Sequence, residues 1–561
     1  MAHQEAPWLQ EETIAIQMAN SSLVATTIKV TLLELPPEIL IRILLGLPFT
    51  SVVICRRVNR YLQILISESA EVQYRIHLGI SGLVDNPSCN LPVSERLSRL
   101  LAKERRWEDV NFDFNKIIDV PFQFPYYHTR LITGFFSGIT ANEIHCMETP
   151  SAPDWEAKWR RVSPGKRIIS TGTCVYEHDL HVLITAQPQT IYTNATEPRT
   201  VYEIQVHLNQ LSTGQPHPGA QQATISLITH EGFGEPHVFV EHAGNNLLLM
   251  LRDNIDTQRP DEQVYVYDWR TSELKLRLSA PFRSYGYPLV LTKDVFLLTN
   301  ARTGELEYWR FPKSPSEPIQ HEPFFVLCLP QLVSDRAFLY ISCRAEPNPS
   351  TRSCNGSKSF YNDPNEAIVT FIVGIRSTMF AVHLYTFFVH RSFFVGCPNK
   401  FYSFMSPDGR PKPVPYGEWG PSACRWFKAN MFQAKWFETT SGQRCIASPP
   451  DTTAAPITLL DFNPIGVSIA LARENPPTEI ATYDPPGELR PREKTVIRST
   501  DPLDDPHGCF ENTVYSSLPY VMRTSQDKYS FDALLLDEES VLGIREDGSG
   551  RVIEIHVLSY G

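Results

Sequence analysis

The stretch from Leu33 to Ile66 limits what this chain can fold into more than any other part. Between Ile39 and Leu47 only Arg42 and Gly46 interrupt the apolar run. Ile39, Leu40, Ile43, Leu44 and Leu47 lie along one helical face, while Ile41 and Leu45 fall off it. A helix apolar nearly all round must be buried nearly all round. Pro36 and Pro37 suit a first helical turn, where proline loses no needed N–H and presets φ. Glu38 adds negative charge at the positive helix end. Pro48 stops the helix, and Thr50 or Ser51 is placed to cap the next one. A third helix is predicted from Val58, Tyr61, Leu62 and Leu65 at helical spacing, with Arg56, Arg57 and Arg60 mostly elsewhere. Three short helices of about 45 residues cannot bury this much apolar area alone. A partner must cover one side.

The residues Leu35-Pro36, Glu38-Ile39-Leu40, Ile43, Leu47-Pro48, Ser51-Val52, Cys55-Arg56, Val58-Asn59-Arg60-Tyr61 and Leu65-Ile66 resemble the F-box. That module plugs a protein into the Skp-family adaptor of cullin–RING ubiquitin ligases. Tyr61 stands where the family often has tryptophan, which keeps an amphipathic aromatic of smaller area. The resemblance implies an adaptor face made of Leu35, Pro36, Ile39, Leu40, Ile43, Leu47, Pro48, Val52 and Val58. Read from the residues alone, an ordinary helical hairpin packed on the following domain stays open.

Lys plus Arg is 51 and Asp plus Glu is 62, for a net charge of −11. Nucleic-acid-binding surfaces are usually basic, so no nucleic-acid partner is expected. Eleven scattered cysteines, with no Cys-x-x-Cys, predict reduced thiols, no zinc and no other cofactor. Met1 to Glu12 is polar, and Val24 to Val30 is too short and threonine-rich for a signal segment. The Asn-x-Ser/Thr sites at Asn20, Asn194 and Asn355 are therefore read as incidental, and a cytoplasmic or nuclear location is expected. The most apolar stretch, 367–397, carries Arg376, His383, His390 and Arg391 and reads as three buried strands, with no membrane span.

Residues 83–92 form a turn-rich connector whose backbone is expected to be open to proteases. Ser94 is placed to cap a helix to about Asp109, apolar at Leu97, Leu100, Leu101 and Trp107. Arg96, Arg99, Lys103, Arg105 and Arg106 give it a basic outer side, interleaved with Glu95, Glu104, Glu108 and Asp109 as on a solvated face. This helix looks like the link helix after the F-box in basidiomycete-type F-box proteins, which would fix the spacing between adaptor and receptor domains.

Beyond about residue 120, helical periodicity nearly vanishes and short β-branched or aromatic runs recur between turns. About 24 to 28 strands at four per blade imply a six- or seven-bladed propeller. The best blade signature is Val264 to Asp268, Trp269, a polar turn, and Leu274 to Leu278, similar to the third and fourth strands of a WD-type blade. Leu459-Leu460-Asp461-Phe462 repeats the Asp-aromatic ending, and 531–558 adds a further strand series. No Gly-His opener or kelch-type Gly-Gly pair accompanies these, so a β-sandwich pair or a solenoid stays open. A ring predicts that a strand from 130–147 pairs with strands near 531–558.

Enzyme signatures are missing: no Gly-x-x-x-x-Gly-Lys-Ser/Thr, no Gly-x-Ser-x-Gly, no His-Glu-x-x-His. His178 and His181 read as surface histidines flanking a turn. Tyr285, Tyr287, Tyr416 and Trp419, placed in loops, are candidates to line a binding face, and the proline-rich loops 312–323, 345–365 and 407–421 are candidates to carry target recognition. The fold expected is therefore α+β and multi-domain: a loose tail (1–30), an all-α F-box (31–82), connector plus link helix (83–119) and a β-propeller (120–561). The function expected is the substrate-recognition subunit of a Skp–cullin–F-box ubiquitin ligase that binds an unknown target protein, with no catalysis of its own and no membrane partner. A scaffold with F-box-like helices, or more remotely a propeller hydrolase, are the alternatives.

Overall fold

The computed structural model describes residues 32–125, 129–191, 199–229, 234–253, 261–317, 321–349, 358–377, 381–404, 411–428, 438–447, 454–474 and 494–561. The predicted tail (1–30), the three Asn-x-Ser/Thr sites, Cys354 and parts of the three proline-rich loops lie outside these residues. The chain divides into two compact units, one ending at Ile76 and the other beginning at His77.

The first unit is helical. Pro36 precedes α1 (Pro37–Leu45) and Pro37 takes its first position. Pro48, and neither Thr50 nor Ser51, stands at the N-cap of α2 (Phe49–Cys55), because a second Leu-Pro break already presets the entry. Asn59 caps α3 (Arg60–Glu68), its side-chain oxygen accepting from the Leu62 N–H at 2.8 Å. Both α1 and α2 lie against α3. A fourth helix, α4 (Ala70–Ser81), has its residues divided between the units.

The second unit is a seven-bladed β-propeller of antiparallel sheets. Blade 1 runs Thr129–Ile132, Phe135–Ile139, Ile144–Glu148 and Arg160–Val162. Blade 3 is Pro236–Ala243, Asn246–Asp253, Glu262–Asp268 and Glu273–Ala280, so the Val264 to Leu278 segment does form third and fourth strands. Blades 2, 4 and 5 begin at Ile168, Leu289 and Ala337. Blade 6 (from Thr440) carries a fifth strand, Lys494–Ile497, covered by the helix Pro464–Glu474 through Val467 and Ala470. Every seam between neighbouring blades holds its own buried apolar cluster. The seam of blades 7 and 1, with Leu542 and Ile555 against Leu131 and Phe136, closes the ring.

Closure comes from a different segment than expected. The strands 130–147 belong to blade 1, and the outer strand of blade 7 is Phe114–Asp119, paired antiparallel with Val552–Ser559 (Phe114 opposite Ser559, Asp119 opposite Glu554). It lies within the stretch read as connector. Its weak signal has a physical cause: an outer strand faces solvent at alternate positions, and Ile118 is its one buried residue.

The first strand of each blade faces the axis. Arg130 of blade 1 lies 3.8 Å from Glu438 beside blade 6, although these blades are not neighbours. Arg344 at the end of blade 5's first strand donates to Glu438 at 3.0 Å and to Glu346 at 2.9 Å. Asn348 reaches across to Glu241 of blade 3. Burial alone would lower the Arg344 pKa, but Glu438 and Glu346 raise it above its ordinary value and keep it charged. The fully buried Arg391 donates to the carbonyls of Pro347, Pro364 and Ala345 at 2.6, 2.7 and 3.2 Å.

The connector is not open backbone. Leu83–Asp85 pairs with Phe360–Asn362, and Asn86 bonds the Lys358 and Ser359 carbonyls at 2.7 and 3.0 Å. The link helix, α5 (Val93–Asp109), starts after Pro92, so Ser94 is no cap. Its Trp107 stacks on Tyr560 at 3.5 Å under the Arg444 guanidinium, and Arg444 also bonds Glu104. Lys103 is buried and its pKa lowered by that burial, while Arg96 is paired with Asp85 at 2.6 Å. These two therefore leave the predicted basic outer side. Val110 ends α5 in the left-handed conformation (φ 44°), costly for a β-branched residue and retained with its side chain buried.

Among the described residues, three helices of eight or more residues interrupt the β pattern, beside the single turn Val175–His178. Of the three strands read in 367–397, two form (Ile368–Arg376 and Val382–His390), and Arg391–Lys400 is a helix. The third helix, Tyr416–Ala423, occupies part of a loop read as recognition surface.

Candidate functional site

The helical unit presents apolar side chains outward. On α1, Leu40 and Leu44 are buried while Ile39 and Ile43, one turn apart, are exposed. On α3, Leu62 and Ile66 are buried while Tyr61 and Ile64 are exposed. Of the residues expected on an adaptor face, Pro36, Ile39, Ile43, Pro48 and Val58 are exposed, and Leu35 and Leu47 are half-buried. Two are corrected. Leu40 (1 % exposed) and Val52 (0 %) are core residues of the unit and present nothing to a partner. Their misplacement follows from a helix apolar all round, whose pattern does not say which side is inward.

Six exposed apolar residues were missing from that expected set: Leu32, Leu33, Val53, Ile54, Tyr61 and Ile64. For two of them the position on α3 is the reason: Leu62 and Ile66, four residues apart, take the buried side and leave Tyr61 and Ile64 off it. Among the described residues seventeen large apolar side chains are exposed, and nine fall between Leu32 and Ile64. Such a concentration marks an interaction surface, whereas single exposed apolar residues need no explanation.

On the propeller, the loop aromatics are structural rather than displayed. Trp419 is fully buried and donates to the Cys328 carbonyl at 2.8 Å, and Tyr285 donates to Glu307 at 3.0 Å. Tyr287 and Tyr416 donate to the Val240 and Tyr515 carbonyls. The segment 345–348 is likewise built into the axial network. His181 lies inside, beside the Thr171 hydroxyl at 3.0 Å, and burial pushes its pKa down to about 4. His178 is largely covered as well, with its ring nitrogen 2.9 Å from the Gly244 carbonyl. Neither is the surface histidine that was expected.

A cleft of about 1310 Å³ opens on the propeller where α5 faces the loops of the first three blades, lined in part by Arg99, Arg106, Trp155, Arg160, His178 and Phe360. The ten described cysteines are free, and no group of three or more metal-ligating side chains comes together among the described residues. No described helix is long and apolar enough to cross a membrane.

Residues 32–70 match the family model of the F-box domain. No curated protein matches the chain. Among solved structures, BamB from Moraxella catarrhalis aligns over 79 % of this chain and 98 % of its own at 8 % identity, with a TM-score of 0.25. The C-terminal WD40 domain of Sif2 aligns over 79 % and 98 % at 7 % identity and TM-score 0.31. The WD40 domain of SCAP from fission yeast aligns over 80 % and 99 % at 8 % identity and TM-score 0.32. At these scores the likenesses carry no argument, and the propeller rests on its own seven sheets. The chain thus joins an F-box domain to a seven-bladed β-propeller. F-box domains generally bind Skp-type adaptors, and the combination fits a receptor or adaptor role rather than an enzyme.

Proposed function

We propose that this chain is the substrate-recognition subunit of a Skp–cullin–F-box ubiquitin ligase, acting in the cytoplasm or nucleus. The observation that carries this reading is the apolar surface of the helical unit, within the residues that match the F-box domain. Fully burying one large apolar side chain is worth ~1.5–3 kcal/mol, so a few of these nine supply ample gross driving force for a specific complex. The propeller would hold a target protein, with the cleft beside α5 as the first place to look. Chemistry would belong to the ubiquitin-carrying enzyme, and this chain would supply proximity.

The test is capture of a purified Skp-type adaptor by the full chain. Ile39→Asp with Ile43→Asp, both exposed and so compatible with folding, should weaken capture at least about a hundredfold, because each leaves a charge in a dry interface. Equal capture by wild type and double variant removes the reading.

A further inference from the structure

Where α2 gives way to α3, a groove of about 650 Å³ is lined by Val53, Arg56, Arg57, Asn59, Arg60 and Gln63. It holds three cations and no anion, in a protein whose net charge is −11. All three arginines are exposed, and none makes an ion pair with a described residue. Local structure does not account for them equally. Arg56 sits at the C-terminal end of α2, where the helix dipole favours a cation, but Arg60 opens α3, where the dipole opposes one. A residue placed against its local preference points to a role outside the fold.

We propose that the adaptor seats an acidic segment in this groove, with carboxylates interleaved with aliphatic side chains. This rests on the adaptor reading above and adds the chemistry of the partner. The cations alternate along the chain with exposed Val53, Ile54, Val58 and Tyr61, so an occupant must offer both charge and apolar contact. A nucleic-acid backbone offers only the charge. Guanidinium forks take carboxylates in two-point contacts, which fixes register as well as attraction. The local positive field also offsets the repulsion that a chain of net charge −11 would exert on any acidic partner.

The test measures binding of the full chain to a purified Skp-type adaptor at 50 and 300 mM NaCl, a range over which exposed charges become screened. Wild type should lose roughly tenfold in affinity across this range. The variant R56Q/R57Q/R60Q should bind roughly tenfold more weakly at low salt, mostly through slower association, and respond little to salt. R56K/R57K/R60K, which keeps charge without the fork, should retain the salt response and controls for folding. A glutamine variant with unchanged affinity and unchanged salt response, beside a wild type that binds, overturns this inference and leaves the adaptor reading standing. A wild type that binds no adaptor overturns both. A short oligonucleotide that binds the wild type and loses that binding in R56Q/R57Q/R60Q, while adaptor affinity is unchanged by the same substitutions, also overturns it.

Discussion

The two units handle their side chains in opposite ways. The helical unit buries only apolar residues, among them Leu40, Leu44, Val52, Leu62 and Ile66, and leaves comparable residues in water. The propeller hides nearly all its large apolar side chains and buries charges as well, with Arg344, Arg391, Glu241 and Glu438 almost fully inside. A buried charge is tolerable only when its partners are fixed, so the axial network presupposes a finished ring. An exposed apolar face is tolerable only briefly or under a partner. One unit is complete by its own contacts, and the other leaves an apolar face that the described residues do not cover.

The strongest challenge to that contrast is Arg344→Met. It leaves Glu438 and Glu346 without their guanidinium, and should cost the propeller about 3–5 kcal/mol in denaturant unfolding. Hydrogen exchange in α1 to α3 should not change. A loss below ~1 kcal/mol would mean that solvent already reaches the axis and that the ring is less self-sufficient than described.

Acid gives a second handle on the propeller alone. The unfolded chain protonates His181 near pH 6.5, whereas the folded chain does so only near 4. Its contribution is therefore whole above pH 6.5 and lost as pH falls towards 4, by about 3 kcal/mol. Unfolding measured at pH 7.5 and 4.5 should show a smaller drop for His181→Gln than for wild type.

The helical unit should respond to company instead. Saturating adaptor, at a hundred times its dissociation constant, should raise protection of α1 to α3 by about 2.7 kcal/mol. Exchange in the central strands of the blades should stay as it was. The smallest effect belongs to Asn59→Ala, which removes the α3 cap and should cost about 1 kcal/mol, confined to that unit.

The same contrast explains what the sequence disclosed. Prolines at helix starts and a dense apolar spacing made the helical unit readable at the level of its elements, because each break is local. The side it turns inward was not readable: Leu40 and Ile43 are equally apolar, and only packing against α3 separates them. In the propeller, Val264 to Leu278 stood out because a central strand and its return alternate visibly. Phe114–Asp119 did not, having a single buried side chain. The helix Arg391–Lys400 was hidden by Pro398 and by flanking residues as apolar as the strand before it. Trp419 and Tyr416 were misread for a related reason: Pro415, Gly417, Gly420 and Pro421 around them imitate a loop.

Ring closure by Phe114–Asp119 and Val552–Ser559 also sets an order of events during synthesis. The two strands of that pair are separated by the whole of the remaining ring, and at about 5–20 residues per second their meeting is delayed by roughly 20–90 s. The F-box helices emerge before either strand. A nascent chain therefore exposes its apolar helical surface while its propeller is still an open sheet with an unpaired edge. Until Val552–Ser559 is made, Phe114–Asp119 has no strand to pair with, and the propeller remains a curved sheet waiting for its own far end.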